Sequence, residues 1–137
     1  MKKFSESVFF ILDSVTDGIC VAIFRGDVEM SSKKLNKENS RKSENVIFGV
    51  IKDVLANAKI AFPDVDCYAV ATGAGSWTGA RIGVTVVKAL CMVNERPVIE
   101  MRDSVNIDEI KRKFETTEFV PIKDLEPYYD GKAYVVK

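Results

Sequence analysis

The chain's best candidate for chemistry is a turn rich in glycine and hydroxyls, Thr72-Gly-Ala-Gly-Ser-Trp-Thr-Gly79, set between an apolar run and a helical pattern. Gly73, Gly75 and Gly79 permit left-handed backbone and close approach. Thr78 sits where an N-cap hydroxyl would accept from an orphan N–H of the following helix. Unpaired N–H groups at such a turn make an anion site, so phosphate is the ligand the pattern suggests. The spacing alone is a weak signal, because most Gly-Ser turns before helices only connect. Asp13, with Ser14 and Thr16, forms a second candidate at the end of the first apolar run. A carboxylate there could hold Mg²⁺ beside phosphates; the plainer role is to cap its own turn by accepting backbone N–H groups. Ser76 and Thr78 are hydroxyls without a base, and turn hydrogen bonding is their expected work.

The sequence contains no histidine. That excludes a His general base, Ser-His-Asp triads and His-ligated metals within these residues. Cys20, Cys67 and Cys91 lie in apolar runs without metal-ligand spacing, and they read as reduced core thiols in a cytoplasmic protein. No metal site and no cofactor is expected. With 137 residues, 47% hydrophobic and 29% charged, the chain is one globular domain. Its formal net charge is zero, so no global field draws in nucleic acid. Met1-Lys-Lys-Phe4 starts like a signal peptide, but Asp13 interrupts the apolar run, and no run approaches the ~18 residues of a membrane span.

Positioning these residues takes an α/β or α+β framework, between which periodicity alone does not decide. Residues 8–13, 19–24 and 28–33 read as strands, the last two joined by a hairpin turn at Arg25-Gly-Asp27. Residues 31–45 carry five Lys/Arg against two acids and read as a loop; Lys33, Lys34, Lys37, Arg41 and Lys42 are its cations. Such runs are usually just solvated, and no aromatic is interleaved for base stacking. Helices are expected over 43–59 and 79–93, with strands at 67–72 and 97–101. Ile107–Phe114 reads as a short helix, and 120–125 and 133–136 as short strands or extended segments. The tail is more acidic than the rest.

Both long helices are apolar on more than one side. A helix on one sheet needs only one apolar face, so a second cover is implied: a partner, or the tail folding over. The partner reading assigns Val46, Ile47, Val50, Ile51 and Val54 of the first helix, with Ile82, Val86, Val87 and Leu90 of the second, to a docking face. Gly79 and Gly83, spaced i, i+4, would let a second backbone approach closely. Arg81 opposes the macrodipole in a first turn and therefore needs an acidic partner, at the interface or within the fold.

The wording of the turn is more specific than its physics. Gly73-Ala-Gly-Ser-Trp-Thr-Gly-Ala-Arg-Ile-Gly83 resembles the Gly-Pro-Gly-Ser-Phe-Thr-Gly-Leu-Arg-Ile-Gly signature of the TsaB (YeaZ) family, departing only at Ala74, Trp77 and Ala80. Phe9–Thr16 is similar to the family's opening strand and Asp-Thr-Ser-Thr turn, and Lys42-Ser-Glu44 stands where His-Ser-Glu is usual. The likeness covers roughly 8–103, and Leu125-Glu-Pro-Tyr-Tyr129 resembles the family's Pro-Tyr ending. It implies a single actin-like, Hsp70-ATPase-type (ASKHA) lobe over 1–103, of order β-β-β-α-β-α-β in a mixed sheet. Residues 104–137 would then be a truncated remnant of the second lobe, packed on the first. It further implies a non-catalytic subunit that pairs through the two helices with TsaD, or with a second copy as a homodimer, while TsaE and tRNA join through the complex. TsaD modifies adenosine 37 of tRNA, and its family pattern needs a His-x-x-x-His site absent here. The 73–79 loop and Asp13 would be a degenerate phosphate site. Against this stand a small nucleotide-binding or transferase domain using that loop, and a self-associating domain acting without TsaD.

Overall fold

The computed structural model describes residues 2–15, 18–36, 44–73, 77–102 and 105–127. Strands β1 (Val8–Asp13), β2 (Ile19–Arg25) and β3 (Val28–Leu35) form an antiparallel meander. Helix α1 (Glu44–Ala58) leads to β4 (Cys67–Ala71), α2 (Trp77–Val93) to β5 (Val98–Met101), and α3 (Ile107–Glu115) follows. The sheet order is β3-β2-β1-β4-β5, with β1–β4 and β4–β5 parallel. This is the mixed sheet of the actin-like α/β fold.

Alternation along β1 divides the core. Phe10 and Leu12 face one way and join Val21, Ile23, Tyr68 and Val70 beneath α1 and α2. Phe9 and Ile11 face the other way, with Cys67, Ala69, Ile99 and Met101 beneath α3. On that second face the rings of Phe4, Phe9, Phe114 and Phe119 pack as tilted and edge-on pairs, with centroids 5.1–6.2 Å apart. Helix α3 carries its own signals. The Asn106 side chain accepts from Asp108 N–H (2.9 Å) and Glu109 N–H (3.1 Å), acids fill the first turn and bases the last.

Several boundaries differ from expectation. β3 continues through Leu35, two residues past the expected strand 28–33, so residues 34–35, expected as loop, are strand. Its outward residues face water at the sheet edge, which erases the apolar signal. Lys33 pairs with Asp53 of α1 at 2.8 Å and holds that carboxyl below its usual range. The hairpin turn is Gly26-Asp27, with Gly26 at φ +58°. Residues 120–125 are not a strand: Val120 N–H donates to the Val98 carbonyl on the outer edge of β5, and a single 3₁₀ turn follows at Ile122–Asp124. Leu125 is buried in the core under α1 and α2, with Val120 and Ile122 packed against it. Phe119 belongs to the opposite face, so the tail crosses the β5 edge from one layer to the other. The extended piece expected at 133–136 lies outside the described residues.

α1 ends in a Schellman-type turn. Ile60 N–H bonds the Leu55 carbonyl and Lys59 N–H the Ala56 carbonyl, with Lys59 at φ +59°. Glycine has no Cβ penalty in that conformation. Lys59 is exposed, so Lys59→Gly should raise unfolding stability by roughly 0.5–1 kcal/mol in urea titration.

Candidate functional site

The parallel pairing of β1 with β4 brings the two expected loops to one end of the sheet. Leu12 is level with Val70, which sets Asp13 and Ser14 beside the Ala71–Gly73 exit of β4. Asp13 Oδ1 accepts from Val15 N–H at 3.0 Å, an Asx turn. Ser14, Thr72 and Gly73 are buried. Thr72 Oγ1 donates to Glu100 Oε2 at 2.9 Å, while its N–H bonds the Met101 carbonyl. The Thr72–Glu100 pair had no signal in the sequence, because only the β4–β5 register makes the two side chains neighbours. Thr16, Gly75 and Ser76 lie outside the described residues.

Helix α2 begins at Trp77, so Thr78 and Gly79 stand inside its first turn and Thr78 is not its N-cap. The same shift moves Arg81 beyond the first turn, where the macrodipole has largely faded. Arg81 is exposed and engaged in a polar interaction. Gly83 has a different role from the one expected. A Cβ built on it would stand 2.8 Å from Ser14 Oγ and 3.4 Å from Val70 Cγ2. Its bare backbone therefore admits this chain's own β1 turn and β4, and it is buried away from any partner.

The docking face also needs correction. Ile47, Val50, Ile51, Val54, Val86, Val87 and Leu90 are all buried in the chain's own core, so they support the helices from below. Among the described side chains, the apolar ones that α1 and α2 present outward are Phe48 (47% exposed), Met92 (88%) and Val93 (83%), with Ala89 exposed and Val46 and Ile82 partly so, interspersed with exposed Lys52, Asp53, Asn57, Arg81 and Thr85. Periodicity marks apolar sides of a helix without saying which of them meets the sheet.

No thiol here is primed as a nucleophile. Burial pushes Cys67 and Cys91 up, and Cys20 is raised by burial and then by the Asp13 charge. Among the described residues no cluster of three His, Cys, Asp or Glu could hold a metal, and no helix is long and apolar enough to cross a membrane.

The family model for TsaD, tRNA N6-adenosine threonylcarbamoyltransferase, matches residues 33–106, more than half of the chain. The tRNA threonylcarbamoyladenosine biosynthesis protein TsaB of Buchnera aphidicola is 32% identical over 94 residues, 68% of this chain and 43% of its own length. YeaZ from Pseudomonas aeruginosa superposes with a TM-score of 0.61 at 25% identity, covering 81% of this chain and 50% of that one. The chain belongs to the TsaD family, as a TsaB (YeaZ) member. The tRNA N6-adenosine threonylcarbamoyltransferase of Ehrlichia ruminantium is also similar, 28% identical over 110 residues, 69% of this chain and 31% of its own. This TsaB-family chain spans about a third to a half of the length of these relatives.

Two outcomes test this geometry. Gly83→Val should cost about 1–3 kcal/mol, since its branched side chain must displace Ser14 and press on Val70; a neutral effect in chemical denaturation would remove the close approach. With a disulfide exchange reagent at pH 8, Cys20 should react slowly and Cys67 and Cys91 only on unfolding, read as absorbance against denaturant.

Proposed function

We propose that this chain is a non-catalytic scaffold in the synthesis of threonylcarbamoyladenosine at position 37 of tRNA, docking on a TsaD-family protein through the outer faces of α1 and α2. The observation that carries the reading is large apolar side chains held in water on the same two helices: Phe48 on α1, Met92 and Val93 on α2. Exposed apolar groups on rigid helices, each backed by a packed core, are suited to burial against a second surface. The likeness to proteins named for TsaB supports the choice of pathway. A scaffold activates only by preferring the active form of its partner, so its contribution is differential binding.

The site chemistry agrees with a non-catalytic role. Asp13 is committed to its own turn, Thr72 to Glu100, and the sequence offers no histidine as a base. In the absence of a TsaD-family protein the same face would pair with a second copy. A TsaE-family ATPase and tRNA would join through the assembled complex, in the cytoplasm.

Phe48→Glu and Met92→Glu should leave the unfolding midpoint nearly unchanged and weaken binding to the TsaD-family protein at least tenfold, measured by calorimetry. Size exclusion with light scattering should show a homodimer that exchanges into a heterodimer. If both variants bind as the parent chain does, the docking face lies elsewhere.

A further inference from the structure

The face opposite α1 and α2 carries a feature that scaffolding does not use. Where the N-terminal 3₁₀ turn Phe4–Glu6 meets the end of α3, an open cleft of about 500 Å³ is lined by Lys2, Lys3, Phe4, Lys111, Phe114 and Thr117, with Ser5 and Glu115 completing it. Lys2, Lys3 and Lys111 converge there from two elements remote in sequence. Lys2 is partly neutralised by Asp66 at 3.3 Å. Lys3 and Lys111 have no carboxylate within ion-pair distance among the described residues. Glu115, one helical turn beyond Lys111, would be the ordinary i, i+4 partner. The Lys111 ammonium instead lies over the Phe4 ring, 5.7 Å from its centroid. Three lysines against Glu115 in the lining and Asp66 beside Lys2 leave a local excess of positive charge over an aromatic floor on a chain of zero net charge.

We propose that this cleft binds backbone phosphates of an RNA strand. Lysines are point charges suited to phosphate, and the cleft has no arginine fork of the kind that grips carboxylates in bidentate fashion. Its openness to solvent fits a passing strand better than an enclosed small anion. It lies across the sheet from the helix face, so a bound partner there leaves it free. The choice of RNA among polyanions rests on the tRNA reading above.

The test uses the chain alone with an unmodified tRNA transcript, measured by fluorescence anisotropy across a salt series. Lys3→Gln together with Lys111→Gln should weaken binding roughly tenfold and make the log–log salt slope shallower by about 1.4–1.8, the loss of two phosphate contacts. Lys111→Arg should retain binding, and Lys52→Gln on α1 should match the parent chain. An unchanged unfolding midpoint in the double variant excludes a folding defect. The proposal is overturned if the double variant keeps the parent affinity and slope, or if Lys52→Gln weakens binding equally. It also fails if inorganic phosphate competes at micromolar levels, which marks a small-anion pocket, or if polyglutamate competes as well as tRNA, which marks an acidic protein ligand. Binding of tRNA with this lysine dependence by a chain that ignores the TsaD-family protein would keep the cleft and remove the docking reading.

Discussion

A strand buried on both faces must satisfy its backbone sideways and its side chains above and below. β1 meets both demands. It is hydrogen-bonded to β2 on one edge and β4 on the other, while Phe10 and Leu12 pack under α1 and α2 and Phe9 and Ile11 under α3. Its pairing changes sense across it, antiparallel on one side and parallel on the other. That change delivers the β1 turn and the β4 exit to the same end, and it brings Gly83 of α2 down onto Ser14. The loop end, the helix layer and the aromatic layer are all referenced to this one strand.

The element order was legible because apolar runs with period two and runs with helical spacing alternate clearly up to Met101. The sequence reading of 73–79 as a turn rests on glycines and hydroxyls between a strand and a helix, and Gly75 and Ser76 at its centre lie outside the described residues. Finer points depended on information that periodicity does not carry. Thr78 has the chemistry of an N-cap, but α2 starts at Trp77. Residues 34–35 look like loop because an edge strand has one wet side and polar residues to match. The apolar excess of α1 and α2 suggested a second cover, and it had several sources. The sheet takes most of it, Leu125 of the tail enters the same core, and Phe48, Met92 and Val93 are the portion left outside.

The two layers have unequal tasks. Helices α1 and α2 expose Phe48, Met92 and Val93 among charged and polar neighbours such as Lys52, Asp53 and Arg81, a mixture that suits a protein surface. The α3 layer offers at its rim Lys111 over the Phe4 ring with Lys2 and Lys3 beside it, which suits the proposed polyanion. Dividing these properties between opposite faces avoids competition for one surface, and a sheet packed on both sides keeps them at a fixed separation.

The tail's bond from Val120 to the Val98 carbonyl has a consequence for solubility. β5 is a short outer strand, and an open row of backbone donors and acceptors beside it would be a template for another chain. The crossing segment occupies part of that template. The opposite border of the sheet, β3, uses a different defence: a bulge breaks its register between the partners of Ile23 and Phe24, and Lys33 and Lys34 put charge on its rim. Each border is thereby discouraged from adding strands, so that association is directed to side chains on the layers and away from the backbone at the margins.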